Sequence, residues 1–165
     1  MIIAAIAVVA VVAVGAVVFL LPNEKSAYDL LPDAGSFPDN WTGSKETTST
    51  ELSNVSSAAT GTYTGPGSKM VVEIRVFDSV DAAEAYYTIL REGNDTWYSS
   101  DSKYFANGFE TTATPSGIFH FFQYKNVVGE LNLQSGSLSN DPANDEWGSI
   151  LSDIGGKINN AKKLV

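Results

Sequence analysis

The first 21 residues form an uninterrupted apolar segment. Residues 1–21 contain no charged or strongly polar side chain. At 1.5 Å per residue, a helix of this length measures roughly 30 Å, which is enough to cross the hydrocarbon core of a bilayer. Pro22 disfavours the α conformation at Leu21 and cannot donate a backbone hydrogen bond, so the pattern predicts that the helix ends there. Such a helix needs burial in a membrane or in a protein assembly.

After this segment, alternation of apolar and polar residues predicts a series of strands. The clearest is 69–77, where Met70, Val72, Ile74 and Val76 alternate with more polar neighbours and one face should lie in the core. The turn around Lys125 and Asn126 is typical of a hairpin. The predicted strands are residues 45–52, 55–64, 69–77, 104–114, 118–124 and 127–133.

Two helices are expected among these strands. Residues 78–93 begin with an N-cap at Asp78 or Ser79 and stop at Gly93, and residues 144–163 carry apolar side chains at helical spacing. The buried positions expected in the first of these helices are Val80, Ala83, Tyr86 or Tyr87, and Leu90. The order of elements predicts an α+β fold, in which a long N-terminal apolar helix precedes an antiparallel β-sheet domain with two packed helices.

Three regions follow from this pattern. Residues 1–22 form the apolar helix, residues 23–44 form a short helix and connector, and residues 45–165 form a soluble α+β domain. Phe37 and Trp41 of the connector are expected to dock on the domain. Because the connector is short, the domain should be held close to the apolar helix.

Composition narrows the classes of partner. The chain has 165 residues and a formal charge of −9, which repels phosphate backbones and excludes nucleic acid as an expected partner. It contains no cysteine, so a disulfide framework and thiolate chemistry are both excluded. The absence of cysteine leaves the cellular compartment open.

The sequence offers no set of catalytic residues. Nucleophilic catalysis requires a base beside the nucleophile, and the chain has a single histidine, His120, which is expected to be structural within a strand. The segment 61–69 lacks the Gly-Lys-Ser/Thr step of a phosphate-binding loop. The acidic segment 140–146 lacks the spacing of a calcium-binding loop. We therefore expect no enzymatic activity, no cofactor and no metal site.

The N-terminal region resembles that of type IV pilins. The residues that carry the resemblance are the uncharged apolar start, Gly15 in the middle of the segment and the Leu21-Pro22 step. Bacterial pilins have a glutamate at the fifth mature position, where this chain has Ala5, and the glutamate is often absent in archaeal relatives. The resemblance therefore implies an archaeal-type filament subunit.

Small residues in the apolar helix would allow close packing between copies. The expected assembly residues are Ala4, Ala7, Ala10, Ala13, Gly15, Ala16 and Pro22. The leading hypothesis is a self-assembling structural subunit of an extracellular pilus-like filament, whose partner is a second copy of itself and whose helix is inserted in the membrane before assembly. The alternative is a single-pass, membrane-anchored extracytoplasmic module that binds a ligand or a protein.

The C-terminal domain resembles PsbP-like and mycobacterial LpqN-type lipoprotein domains. The resemblance rests on the order of elements and on the strand-to-helix segment "FDSVDAAEAYYTIL", residues 77–90. It implies an α+β domain and carries no diagnostic functional motif.

Two further sets of residues are candidates for contacts outside the cell. Aromatic residues interspersed with polar ones suggest a binding surface for sugars or proteins, because aromatic faces supply contact area at low entropic cost. These are Trp97, Tyr98, Tyr104 and Phe105. Three sequons would accept N-linked glycans, making the chain a glycoprotein at the cell surface. They begin at Asn40, Asn54 and Asn94.

Overall fold

The computed structural model describes residues 23–93, 98–100, 109–114, 117–138, 140–141 and 144–165, with strands β5, β6 and β9 described by their backbone alone. The helices of this part are α1 (Ala27–Leu30), α2 (Val80–Glu92) and α3 (Glu146–Asn160), together with a 3₁₀ turn (Ala34–Ser36). The strands are β1 (Glu24–Lys25), β2 (Thr42–Thr47), β3 (Val55–Gly65), β4 (Ser68–Phe77), β5 (Tyr98–Ser100), β6 (Phe109–Thr114), β7 (Gly117–Tyr124), β8 (Val127–Ser135), β9 (Asn140–Asp141), β10 (Asn144–Asp145) and β11 (Lys163–Leu164).

Seven strands form one antiparallel sheet in the order β2-β3-β4-β8-β7-β6-β5. Tight turns join β3 to β4 and β7 to β8. Gly67 has a φ of 73° and Lys125 a φ of 53°, which are the left-handed conformations that close turns require. Both connections are local, so the order of these strands follows directly from hairpin pairing.

One face of the sheet packs against α1 and α3 and forms the main core. Side chains at alternate positions of β4, including Met70, Val72, Ile74 and Val76, are fully buried on this face. From α3, Ile150, Ile154 and Ile158 meet them, and α1 adds Leu30. The ring of Phe122 occupies the space beside Gly129, where a Cβ atom would overlap it. The apolar faces of the helices and of the sheet therefore meet in one continuous core layer.

The other face of the sheet packs against α2 around a smaller cluster. Phe77, Ala83 and Val128 are its buried members, with the half-buried rings of Tyr86 and Tyr87 against them. The Ser79 side chain caps α2 by accepting a hydrogen bond from the backbone N–H of Ala82, at 3.2 Å. Below we call this side of the sheet the α2 side.

An ion-pair network holds the segment before β2 against α3. Lys157 Nζ lies 2.9 Å from a carboxylate oxygen of Asp33 and 3.1 Å from Asp153, and it donates a hydrogen bond to the Leu31 carbonyl at 2.7 Å. Lys45 Nζ contacts the second oxygen of Asp33 at 2.8 Å. Hydrogen bonds from Lys45 and Lys157 lower the pKa of Asp33 to about 2.

Replacing Lys157 with methionine is expected to lower the free energy of unfolding by about 2 kcal/mol, because its ion pairs with Asp33 and Asp153 are lost and the carbonyl of the buried Leu31 loses one of its two lysine donors. Lys163→Met is the matched control, since Lys163 pairs with Glu24 on an exposed surface and the loss should stay below about 0.5 kcal/mol. Urea unfolding of both variants checks the difference. Equal losses would contradict the assigned role of the network.

The predicted long N-terminal apolar helix is not found in the part of the chain that the structure describes. The described part of the chain has three α-helices of 4, 13 and 15 residues rather than two packed helices behind a long one. None of these helices is long and apolar enough to span a membrane. Residues 1–22, to which the prediction assigned that helix, lie outside the described part. Two further predictions depended on this helix, namely a pilin-like filament subunit and a transmembrane helix, and both are corrected together with the prediction of the helix.

Most individual elements match their predicted positions. The strand predicted at 69–77 and the helix predicted at 78–93 are confirmed by β4 and α2, with Ser79 as N-cap. Phe37 and Trp41 dock on the domain, where their rings stack at 5.2 Å. The prediction for Val80 was wrong: its side chain is 44% exposed, because the core contact of α2 begins one turn later at Ala83.

Candidate functional site

On the α2 side, part of the sheet carries half-buried polar and aromatic side chains outside the cluster under α2. Pairing between strands places Glu73 beside Thr60 and Glu130, and Val71 beside Thr62 and Asn132. Phe119 and Phe121 continue the same two rows on β7. We call this surface the polar face, made of Thr60, Thr62, Val71, Glu73, Arg75, Phe119, Phe121, Glu130 and Asn132.

Arg75 is the centre of charge on the polar face. Glu73 and Glu130 are direct cross-strand neighbours of like charge, an arrangement that is unfavourable by itself. Arg75 bridges them: Nη2 donates to Glu73 Oε2 at 2.6 Å, and Nη1 donates to Glu130 Oε1. Its guanidinium carbon also lies 5.4 Å from the centroid of the Tyr86 ring, a cation–π contact with α2.

For Glu130 and Arg75, burial and the neighbouring opposite charge shift the pKa in opposite directions. Burial raises the pKa of Glu130, while Arg75 opposes the shift. Burial would lower the pKa of Arg75, but Glu130, Tyr86 and Glu73 outweigh it and the pKa rises. Burial, and next the charge of Glu130, raise the pKa of the Tyr86 hydroxyl, which lies 3.4 Å from Glu130 Oε1. Arg75 therefore stays charged, and its charge limits the rise in the pKa of Glu130.

A pocket of about 210 Å³ lies next to Glu73, between the segment 48–52 and strands β3 and β4. Its polar lining comprises hydroxyl groups and charged side chains. These are Thr48, Ser49, Thr50, Glu51, Thr60, Glu73 and Arg75. The hydroxyls of Thr48 and Thr60 are hydrogen-bonded at 2.9 Å, and Leu52 stands at the rim with 43% of its surface exposed. The pocket can offer both hydrogen-bond donors and acceptors to a ligand.

The β7 part of the polar face is aromatic. The rings of Phe119 and Phe121 are nearly parallel, with centroids 6.0 Å apart and an interplanar angle of 7°. Asn132 is the cross-strand neighbour of Phe119, and its buried Oδ1 has no hydrogen-bond partner among the described residues. A buried acceptor without a partner is unfavourable, so this oxygen is a local cost to the fold on the β7 side of the polar face.

A second cavity lies on the opposite side of the domain, next to α3. It has a volume of about 390 Å³ and is lined by Gly35, Ser36, Phe37, Pro38, Asp39, Glu146 and Ser149. It is a groove beside the 3₁₀ turn, and its two carboxylates come from different elements. In the part of the chain that the structure describes, no group of three or more His, Asp or Glu side chains is placed to hold a metal ion.

His120 lies in the main core rather than on the polar face. It is 8% exposed, and its ring stacks on Trp147 of α3 with a centroid distance of 3.8 Å. Burial lowers its pKa to about 3, so the ring is neutral at physiological pH. The structure agrees with a structural role for this histidine.

Most of the site residues predicted from the sequence lie away from the polar face or outside the described residues. The assembly residues Ala4, Ala7, Ala10, Ala13, Gly15, Ala16 and Pro22 lie outside the described residues, as do Trp97, Tyr104, Phe105 and Asn94. Tyr98 is in β5, of which only the backbone is described. Asn40 and Asn54 are exposed in turns, with φ values of 70° and 67°. Their glycosylation stays a prediction.

Sequence reasoning missed the charged group of the polar face. The alternation in 69–77 identified the core side of β4, and Glu73 and Arg75 were read only as its outward positions. The available signal was the appearance of charged side chains on two interior strands, Glu73 and Arg75 on β4 and Glu130 on β8. Their pairing depends on β4 lying beside β8, which the sequence does not specify.

No protein-family model and no curated protein matches the chain. Among solved structures, the chain is similar to the extracellular domain of PknH from Mycobacterium tuberculosis. The two share 13% sequence identity with a TM-score of 0.53, and the match covers 79% of this chain and 93% of that domain. At this level of identity the similarity establishes a shared fold and nothing further.

Proposed function

We propose that this protein is an extracytoplasmic module that binds a ligand or another protein through the polar face. The observation that carries the proposal is the Arg75 group, where two cross-strand carboxylates and a guanidinium lie half-buried beside a pocket on an otherwise ordinary sheet. Charged groups on interior strands cost desolvation free energy, and a stable fold does not require them. A binding surface gives them a role, since buried and preorganised polar groups provide specificity. No set of groups suited to catalysis lies with them among the described residues, so we propose binding rather than a reaction.

Two observations support an extracytoplasmic location. The structural neighbour is described as an extracellular domain, and the fold is shared with it over most of both chains. The sequons at Asn40 and Asn54 lie in exposed turns, where a glycan would not disturb the core.

Single-cysteine variants test the location and the surface together, because the natural chain has no cysteine. T62C places a thiol on the polar face, and E84C places one on the exposed outer side of α2. We expect a membrane-impermeant maleimide to label E84C in intact cells. With a benzophenone maleimide, we expect T62C to form a discrete crosslinked adduct and E84C to form none.

The labelling experiment and the crosslinking experiment each have an outcome that would contradict the proposal. Labelling of E84C only after lysis would contradict the extracytoplasmic location. Equal adducts from the two positions, or no adduct from T62C, would contradict binding through the polar face.

A further inference from the structure

The Arg75 group contains two carboxylates and only one cation. Glu73 Oε2 and Glu130 Oε1 are occupied by Arg75, whereas Glu73 Oε1 and Glu130 Oε2 accept no hydrogen bond within the described part of the chain. Lys69 lies on the same side of β4 but forms no ion pair with either carboxylate. One negative charge of the pair is therefore uncompensated on a half-buried surface, where screening by water is weak.

The pocket beside Glu73 is suited to a slender polar group. At ~30 Å³ per water molecule, its 210 Å³ has room for about seven waters, close to the size of one long side chain. Its threonine and serine hydroxyls accept hydrogen bonds as well as donate them. Its two carboxylates, Glu73 and Glu51 at the exposed rim, outnumber its one cation, Arg75, whose N–H groups donate to Glu73 and Glu130. A terminal group with several N–H donors and a positive charge would satisfy these acceptors.

The aromatic part of the polar face favours the same class of group. Phe121 is the cross-strand neighbour of Glu130, and its ring is parallel to that of Phe119. Ring faces attract ammonium and guanidinium groups through their quadrupole, and a neighbouring carboxylate strengthens the attraction. Carboxylates beside half-buried aromatic rings thus form a surface complementary to cations, which is a property independent of the pocket.

We propose that the polar face binds a basic segment of a partner protein, with one lysine or arginine side chain in the pocket beside Glu73 and a second near Phe121 and Glu130. This inference rests on the proposed function and specifies the chemistry of the partner. Two cationic side chains spaced along an extended segment match the two positions, because β4 and β7 are separated only by β8. The overall negative charge of the chain would also accelerate the approach of such a partner.

Titration of the full chain in nonionic detergent with an acetylated, amidated trilysine peptide tests the proposal, with backbone amide shifts as the readout. We expect saturable shifts at Thr50, Thr60 and Glu73, and none with the same peptide carrying Nε-acetylated lysines. Glu73→Gln and Glu51→Gln should each weaken binding by about fivefold, the effect of losing one partly exposed ion pair. Glu51 makes no hydrogen bond or ion pair in the described structure, so its replacement leaves the fold intact.

Asp39→Asn is the matched control. It removes the same charge from the groove beside α3, and binding should be unchanged. Binding of the acetylated peptide, or an equal loss in the Asp39 variant and the glutamate variants, would overturn the proposal. If trilysine fails to bind while T62C still forms its crosslinked adduct, the cationic partner is excluded and the binding surface itself is retained. If trilysine does not bind and T62C forms no crosslinked adduct, the proposed function is rejected as well.

Discussion

Replacing Arg75 with leucine is expected to lower the free energy of unfolding at pH 7 by about 3 kcal/mol. The guanidinium side chain is 18% exposed and bridges Glu73 and Glu130, whose carboxylates would otherwise face each other across β4 and β8. The variant also loses the contact between the guanidinium and the Tyr86 ring, which joins α2 to the sheet. Urea unfolding monitored by tryptophan fluorescence measures the loss.

The loss should depend on pH in a defined direction. Burial already raises the pKa of Glu130 in the wild-type protein, and removing Arg75 raises it further. A carboxyl group whose folded pKa exceeds its unfolded value stabilises the fold fully below the unfolded pKa, and this contribution is lost as pH rises through the folded pKa. The Arg75→Leu variant should therefore approach wild-type stability near pH 4.5 and fall behind it steadily towards pH 7.

Two variants distinguish charge from side-chain size. Arg91 lies at the exposed end of α2 and forms no ion pair in the described structure, so Arg91→Leu should change stability by less than about 0.5 kcal/mol. Adding Glu130→Gln to Arg75→Leu should recover part of the loss at pH 7, because the unpaired buried charge is removed. A loss that is the same at pH 4.5 and pH 7 would argue against the electrostatic explanation.

The main core was accessible from the sequence because it depends on local periodicity. Met70, Val72, Ile74 and Val76 alternate along β4, and Ile150, Ile154 and Ile158 recur at helical spacing in α3. Each pattern identifies an inward side without knowledge of its partner. The turn at Lys125 likewise predicts a hairpin, because four adjacent residues are enough to identify it. These features are confirmed because each one is determined within a single element or a single turn.

The polar face was not accessible because it depends on strand order. Glu73 and Glu130 are 57 positions apart in sequence, and they become neighbours only because β4 pairs with β8 across the inserted α2, β5, β6 and β7. A charged residue on an outward strand position gives the same pattern whether it faces water or a buried arginine. The sequence therefore favoured the apolar segment as the source of function, whereas the structure draws attention to outward positions in the middle of the sheet.

His120 is expected to make the protein less stable as the pH falls from 6.5 towards 3. Burial lowers its pKa from 6.5 in the unfolded chain to about 3 in the fold, so protonation favours unfolding throughout this interval. At pH 5 the loss should be about 2 kcal/mol relative to pH 7.5, and it should be larger at lower pH. His120 is the single histidine of the chain, so His120→Gln removes every imidazole titration while leaving the ring of Trp147 in place.

The test compares the free energy of unfolding of the two proteins between pH 7.5 and pH 5. The wild type should lose about 2 kcal/mol more than His120→Gln over this range. Other groups do not account for that difference. Asp33, with its pKa lowered to about 2, stabilises the fold above 3.8 and loses this effect only below the interval. The raised pKa of Glu130 acts in the opposite direction and is common to both proteins. Parallel pH profiles would mean that the buried ring accepts a proton in the folded protein, with the contact between α3 and β7 loose enough to admit water.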